Sequence, residues 1–224
     1  MNKTMSINHH PSDALLIDYA AGSLGAARAL VIAVHVHACA TCQASVAAAE
    51  AVGGALLEDL SGAPMSPDAL DRALARLEQP GSEPAPPART QAPHPPAQPH
   101  DWIRVPAEVA EAAGRKRWVA PGVWVAPIDT GTPGGSLSYL LRVGQGMRMP
   151  QHTHSGSELT LVLKGAFLDG DDRYGPGDVS EVDDEVEHSP AILAGEECVC
   201  LVASDNRLIV RDWLGRLVQS YAGI

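Results

Sequence analysis

The chain of 224 residues has no long apolar run and no secretion signal. A membrane-spanning helix needs roughly 18 or more consecutive apolar residues, whereas the apolar stretch at residues 26–34 is short and contains Arg28. The first residues lack the basic start, the apolar core and the small-residue cleavage site of a signal peptide. These absences predict a cytoplasmic protein that does not bind membranes.

Basic residues are also few. The 16 Lys and Arg stand against 27 Asp and Glu, which gives a net charge of -11. Binding to nucleic acid requires basic side chains that neutralise phosphates, so this balance argues against direct contact with DNA or RNA and leaves a protein partner open. Aromatic residues are scarce, with a single Phe, so Ala, Val and Leu must fill the hydrophobic cores.

The four cysteines form two close pairs, Cys39/Cys42 and Cys198/Cys200. In a reducing compartment, such pairs favour metal binding or redox chemistry over disulfides. A chain of this length accommodates two compact domains, and the two pairs lie far apart in the sequence.

Residues 12–78 have the apolar periodicity of α-helices. Ser12 is a good N-cap, and Gly22 and Gly25 indicate a turn. Leu70, Leu74 and Leu77 recur at i, i+4 and i+7, the spacing of one apolar stripe on a helix. After the helix that Ser12 opens, further helices are predicted over residues 26–36, 40–59 and 67–78.

The remainder of the chain has a different composition. Eight prolines lie in residues 80–99, and such a segment indicates a linker that is stiffened toward polyproline II. From residue 102 onward, short β-rich runs alternate with Gly and Pro, which is typical of an antiparallel barrel or sandwich. The predicted strands include residues 118–119, 123–126, 137–141, 158–163, 197–203 and 207–210.

The first cluster of candidate metal ligands is His35-x3-Cys39-x2-Cys42. If a helix continues through it, the three side chains share one face. One imidazole and two thiolates are a soft donor set that suits Zn²⁺ in tetrahedral coordination. A Cys-x-x-Cys redox pair is the alternative interpretation of the same residues.

The choice of histidines is open from spacing alone. A fourth ligand must come from elsewhere, and His9 and His10, ahead of the first helix, are the candidates. His37 competes with His35, but it points away from Cys39 if the segment is helical. We therefore favour His35.

A His-x3-Cys-x2-Cys motif in an N-terminal helical segment, preceded by a further histidine, resembles the zinc-binding anti-sigma domain. In that family, a four-helix unit clamps a sigma factor and covers its polymerase-binding surface. The resemblance makes residues 67–78 the counterpart of the sigma-contacting helix, with ordinary packing as the alternative role for its leucines. It implies a closed structural zinc site formed by His10, His35, Cys39 and Cys42.

The second cluster follows the pattern Gly-x5-His-x-His-x3-Glu-x6-Gly between residues 146 and 165. On a strand, His152 and His154 point to the same side, Glu158 follows a turn, and His188 offers a fourth donor. Three imidazoles and one carboxylate form a site for a divalent metal, for which we favour Zn²⁺ while Mn²⁺, Fe²⁺ and Ni²⁺ also fit. Polar surface residues in a turn are the alternative.

This spacing matches the first cupin motif. Gly-Pro-Gly-Asp at residues 175–178 and the later His188 resemble the second, although Ile192 stands where that motif has Asn. The departure leaves the ligands in place but weakens the analogy with cupin enzymes. The resemblance implies an antiparallel β-barrel over residues 102–224 with the metal inside its mouth.

Two further features accompany the cupin motifs. Cys198 and Cys200 lie on one face of a predicted strand, where they are either small buried apolar side chains or an oxidation-sensitive pair near the metal. The acidic run of residues 169–187 is expected to form a solvated, loop-rich face.

Together the motifs are similar in kind and order to the ChrR-type anti-sigma factors. The predicted fold class is α+β multidomain, with a four-helix zinc-binding anti-sigma domain at residues 1–79, a Pro-rich linker at residues 80–101 and an antiparallel β-barrel, the cupin, at residues 102–224. The resemblance implies a cytoplasmic regulator without catalytic residues that sequesters a group IV, or extracytoplasmic-function (ECF), sigma factor from core RNA polymerase. It also implies release of that partner on oxidative stress, through singlet oxygen or organic hydroperoxide sensed by the cupin.

Two alternatives belong to other classes of protein. One is a cupin metalloenzyme of the dioxygenase type with a helical zinc domain. The other is a cupin that binds a sugar or another small ligand and is joined to the same anti-sigma domain. Fold alone does not choose among them.

Overall fold

A computed structural model describes residues 6–78, 109, 112–131, 136–153, 156–205 and 209–210. The chain divides into two compact units, of which one comprises residues 1–53 with 100–224 and the other residues 54–99. The Pro-rich linker predicted at residues 80–101 lies outside the described residues, as does His154.

The helices begin and end close to the predicted boundaries. The Ser12 side chain caps the first helix by accepting a hydrogen bond from the backbone N–H of Leu15, and Gly22, with a φ of 70°, forms the turn that follows. Both residues were predicted for these roles. The four helices found within residues 12–78 confirm the prediction that this segment is helical. The helices are α1 (Asp13–Ala20), α2 (Ala26–Ala38), α3 (Ala40–Glu58) and α4 (Ala69–Glu78).

The condition that one helix continues through residues 35–42 is not met. α2 ends at Ala38, and Cys39 has extended backbone angles, with φ -112° and ψ 105°. α3 then begins at Ala40. His35 and Cys42 therefore belong to two different helices that meet at the corner formed by Cys39.

The C-terminal part is antiparallel throughout the described pairings. The largest sheet has the strand order β1-β2-β3-β10-β5-β8, and smaller sheets are formed by β7-β6-β9 and by β11-β4. The strands are β1 (Arg117–Ala120), β2 (Val123–Pro127), β3 (Leu137–Val143), β4 (His152–Thr153), β5 (Glu158–Lys164), β6 (Phe167–Asp169), β7 (Asp172–Tyr174), β8 (Val179–Val182), β9 (Ala191–Ile192), β10 (Cys198–Ser204) and β11 (Ile209–Val210).

Both faces of the central strands are buried, which explains their near-continuous apolar sequences. Successive side chains of a strand point to opposite faces, so Leu161 of β5 packs into the same core cluster as Val31 and Ile32 of α2. Val162 and Val202 belong to the second cluster, on the other face. The helices before residue 53 thus share a core with the sheet.

The acidic segment at residues 169–187 departs from the expectation of a solvated loop. It contains β7 and β8, and Val179 and Val182 are buried. Asp178 is only 1% exposed. A buried carboxylate requires hydrogen-bond donors, and these lie in the N-terminal segment, as described below.

α3 is long and apolar enough to cross a membrane if length and composition alone are considered. Its Cys42 and Val46 are instead buried in the core that the helices share with the sheet. These two residues attach the N-terminal half of α3 to the core, while most of the helix is exposed.

Candidate metal centres

Four donor side chains converge at the corner between α2 and α3. The ligand atoms of His10, His35, Cys39 and Cys42 all lie within 4.8 Å of one another. Nε2 of His35 lies 3.2 Å from Sγ of Cys42, and Nδ1 of His10 lies 3.4 Å from each sulfur atom. Neighbouring ligands of a tetrahedral zinc ion lie about 3.3–3.8 Å apart, given the usual Zn–N and Zn–S bond lengths. These four residues could therefore hold a metal ion.

The local backbone explains why the donors meet. His35 lies in the last turn of α2, Cys42 in the first turn of α3, and Cys39 between them. His10 reaches the group from the segment before α1. His10 is exposed while the other three residues of the cluster are buried, so the cluster lies just beneath the surface.

The His35 ring is oriented by a contact on its far side. Its Nδ1 donates a hydrogen bond to the carbonyl oxygen of Gly177 over 2.8 Å, which leaves the Nε2 lone pair directed at Cys42. Burial lowers the pKa of His35, which favours the neutral ring that a metal ion requires. A second hydrogen bond of this kind is the usual support of a metal-binding histidine.

The structure distinguishes the histidines that spacing left open. His10 and His35 lie in the cluster, whereas His37 is absent from it. The ring of His9 instead lies against Tyr174, with 4.4 Å between the ring centroids. The four residues brought together are the four predicted.

A second group forms where β4 meets the segment before β9. His152 and His188 exchange two backbone hydrogen bonds, each 3.1 Å long, and their ring centroids lie 4.4 Å apart. Nδ1 of His152 donates to the carbonyl oxygen of Pro150 over 2.8 Å. Nδ1 of His188 donates to Oδ2 of Asp169 over 2.6 Å. Both rings are thereby oriented through Nδ1, as is usual for the supporting contacts of a metal-binding histidine.

Glu158 contributes a carboxylate to the same cavity, at the start of β5. It is buried, it accepts a hydrogen bond from the Thr160 hydroxyl over 3.2 Å, and it is hydrogen-bonded to Tyr139. Burial raises the pKa of Glu158 to about 7, and burial raises the pKa of Tyr139 well above its usual value. A carboxylate and two imidazoles in one buried cavity are donors that suit a divalent cation.

Cys198 and Cys200 face this cavity from β10. Both thiols are free and buried, and their sulfur atoms lie 3.6 Å apart. The cavity wall also includes Glu158 and His188. The pKa of Cys200 is raised well above its usual value, chiefly by the hydrogen bond with Cys198 and secondly by burial. The pair therefore lies beside the proposed ligands, and it also packs as small apolar side chains do.

Three residues of these sites were missed at the level of sequence. Asp169 and Tyr139 contact the histidine and the carboxylate of the cavity, but no motif marks them. Asp178 was noted only as part of Gly-Pro-Gly-Asp, and its hydrogen bonds to residues 8 and 9 depend on contacts across most of the chain.

Comparison with known proteins supports the architecture. Residues 107–206 match the family model described as the ChrR cupin-like domain. The chain is 40% identical over 221 residues to the anti-sigma-E factor ChrR of Cereibacter sphaeroides, covering 97% of this chain and 99% of that relative. It also matches a chain in the crystal structure of Rhodobacter sphaeroides SigE in complex with the anti-sigma ChrR, with a TM-score of 0.72, 38% identity and coverage of 89% of this chain and 100% of that chain. The predicted combination of N-terminal helices with a cupin fold is confirmed.

Proposed function

The chain belongs to the family of ChrR anti-sigma factors, and on that premise we propose that it binds an ECF-type, group IV sigma factor and keeps it from core RNA polymerase. The observation that carries the proposal is the similarity, over nearly the whole chain, to a protein solved in complex with its sigma factor. In this function, the protein acts in the cytoplasm through a protein partner and makes no direct contact with DNA. The net charge of -11 agrees with that role.

The surface that we assign to the sigma factor includes the apolar stripe of α4. Leu70, Leu74 and Leu77 are between 50% and 82% exposed, although they recur at the spacing of one helix face. Leu56 and Leu57, at the end of α3, are 65% and 69% exposed. Burying a leucine side chain contributes about 1.5–3 kcal/mol, so such residues are suited to an apolar partner surface.

We propose that His10, His35, Cys39 and Cys42 bind a structural zinc ion. Two thiolates and two imidazoles are a soft set that completes tetrahedral coordination without an open position. The ion supplies folding free energy there. The four residues would hold the corner between α2 and α3 and fix it to the segment before α1.

We propose that the cupin, residues 102–224, is the sensor, and that residues 80–101 link it to the anti-sigma domain of residues 1–79. Its divalent metal would be held by His152, His154, Glu158 and His188. The buried donors described in the cavity support three of these assignments, and the fourth rests on the motif. The signal assigned to it is oxidative stress, as singlet oxygen or an organic hydroperoxide.

Two triggers fit the cavity. In the first, His152, His154, Glu158 and His188 would hold a metal ion that would supply the chemistry for sensing the stressor. In the second, Cys198 and Cys200 reduce one hydroperoxide to the alcohol and water, and their two sulfur atoms form a disulfide. The 3.6 Å between the sulfur atoms supports the second trigger, and the shared cavity wall supports either one.

The proposal is tested by co-expressing the full chain with an ECF-type sigma factor from the same genome. We expect a one-to-one complex that inhibits transcription by core polymerase, with metal content measured by atomic emission. The double variant Cys39→Ser/Cys42→Ser should lose one zinc ion and the complex. The absence of a complex with any such sigma factor, together with turnover of a small molecule, would instead favour the dioxygenase-type metalloenzyme.

Two further variants separate the triggers. Replacement of all four cupin ligands by Ala should abolish sigma release under oxidant if the metal is the trigger, and unchanged release would contradict that version. With organic hydroperoxide as the oxidant, the variant Cys198→Ser/Cys200→Ser should lose sigma release if the thiols are the trigger. Unchanged release in this variant would contradict the thiol version.

A further inference from the structure

One buried carboxylate fastens the N-terminal segment to the cupin. Oδ1 of Asp178 accepts hydrogen bonds from the backbone N–H groups of Asn8, over 2.7 Å, and His9, over 3.0 Å. Its Oδ2 accepts one from the N–H of Gly175 over 2.8 Å. Such charge-assisted hydrogen bonds offset the free-energy cost of removing a carboxylate from water. Asp178 therefore fixes the backbone immediately before His10.

Two more hydrogen bonds join the same parts of the chain. The backbone N–H of Val179 donates to the carbonyl oxygen of His9 over 3.1 Å, so residue 9 lies along the edge of the sheet at β8. The carbonyl oxygen of Gly177 accepts the bond from His35. The turn at residues 175–179 thus holds the ring of His35 directly, and it holds the backbone of residues 8 and 9, which immediately precede His10.

This turn is also connected to the cupin cavity. The ring of His9 contacts Tyr174, which stacks on Phe167 with 5.0 Å between centroids and 18° between the planes. Phe167 lines the cavity, as does Ser180 two residues after Asp178. A continuous set of contacts therefore runs from the cavity wall to the segment that carries His10.

We propose that Asp178 is a positioning residue of the N-terminal metal site, and that the cupin, through the turn at residues 175–179, controls how tightly that site holds its metal ion. The inference rests on the proposed site at His10, His35, Cys39 and Cys42. Outer partners that orient metal-binding side chains change metal affinity by about 10–100-fold. The coupling is reciprocal, because metal that tightens the site must also strengthen the attachment of residues 8 and 9 to the turn.

The test is zinc release from the full chain to a colorimetric chelator, well below the temperature of unfolding. The relevant kinetic phase is the one that disappears in Cys39→Ser/Cys42→Ser. We expect Asp178→Ala to release this zinc ion about 10-fold faster or more. Asp178→Asn, which retains one acceptor oxygen, should release it at an intermediate rate. Asp183→Ala is the matched control, because Asp183 accepts a hydrogen bond only from nearby Glu185 in the described contacts, and its rate should equal that of the unchanged protein.

A spectroscopic readout separates positioning from general loss of stability. With Co²⁺ in place of zinc, the thiolate-to-cobalt absorption should shift in Asp178→Asn while the thermal unfolding midpoint of the cupin strands is retained. A wild-type rate of zinc release together with an unshifted spectrum in Asp178→Asn would overturn the inference. This test remains decisive even if Asp178→Ala fails to fold. If the cobalt band survives in Cys39→Ser/Cys42→Ser, the proposed metal site itself is wrong.

Hydrogen exchange tests the reciprocal effect. In Cys39→Ser/Cys42→Ser, the backbone amide of Val179 should exchange at least several-fold faster than in the unchanged protein, whereas the amide of Val125, in β2 and in the second core cluster, should not change. Equal protection of Val179 in the two proteins, with zinc lost only from the variant, would contradict the coupling.

Discussion

Nδ1 of His188 lies 2.6 Å from Oδ2 of Asp169, and the two side chains are only 8% and 15% exposed. A short hydrogen bond to a carboxylate fixes the orientation of the imidazole. Asp169 is the last residue of β6 and lies 19 residues before His188, so it gives the cavity a supporting residue that no motif contains.

We expect Asp169→Ala to weaken binding of a divalent metal in the cupin by about 10–100-fold. The measurement is calorimetric titration of the full chain with Mn²⁺ or Zn²⁺ while the N-terminal site is filled. Asp171→Ala, which removes a neighbouring acidic side chain, should bind as the unchanged protein does. Equal affinities for the two variants would show that Asp169 does not support His188.

Removing one thiolate from the N-terminal cluster should have a much larger effect. In Cys42→Ala, the site loses a buried ligand, and structural zinc contributes on the order of 10 kcal/mol to folding of such domains. We expect less helical circular dichroism and no complex with the sigma factor. Thr41→Ala changes an exposed neighbour and serves as the control. A Cys42→Ala protein that still binds the sigma factor would contradict a structural role for the ion.

A substitution in the apolar stripe of α4 should weaken binding of the sigma factor without lowering the stability of this protein. Leu74→Ala removes a half-exposed side chain, and exposed substitutions change the free energy of unfolding by only about 0.5 kcal/mol. We expect affinity for the sigma factor to fall about tenfold or more, as for a central interface leucine. The affinity is measured by surface plasmon resonance. Arg76→Ala, on the same helix, should have a smaller effect, and a loss of stability in Leu74→Ala would indicate intramolecular packing instead.

Gly165 closes the first cupin motif at a position that no side chain can occupy. Its φ is 72°, and an added Cβ would collide with the backbone carbonyl group of Glu197. Gly170 also has a positive φ, 59°, but it faces open space. Denaturant titration should show that the free energy of unfolding falls by about 1 kcal/mol in Gly170→Ala. It should fall clearly more in Gly165→Ala, because only this substitution requires the strands to shift. Equal losses would mean that backbone strain alone requires glycine at residue 165.

The residue types at short spacing were sufficient to predict several features. Leu159, Leu161 and Val162 lie in a short apolar run rich in β-forming residues, so β5 could be predicted from residue type and run length. The amphipathic pattern of α4 was equally clear, because its leucines recur with the helical period. Shorter strands such as β6 and β9 were not predicted, since two or three residues carry no measurable periodicity.

The N-terminal cluster shows that donors can converge without the local structure that the spacing argument considered. His35, Cys39 and Cys42 would share one face if a single helix ran through them, but Cys39 has an extended backbone between two helices. The donor group converges nonetheless, because the corner between α2 and α3 brings the last turn of one helix to the first turn of the next. A helix break at a single residue has no clear sequence signal when its neighbours are good helix formers.

The sequence by itself determined which metal donors the chain offers, because donors are defined by residue type, and it indicated the strands and helices through local patterns. Spacing did not decide between His9 and His10; the family resemblance pointed to His10, and only the tertiary structure shows how His10 is brought to the N-terminal cluster. His9 and His10 are chemically equivalent in the sequence, and their roles diverge because Asp178 and Val179, about 170 residues away, fix the backbone between them. Contacts at that separation depend on how the chain packs, which no local pattern specifies.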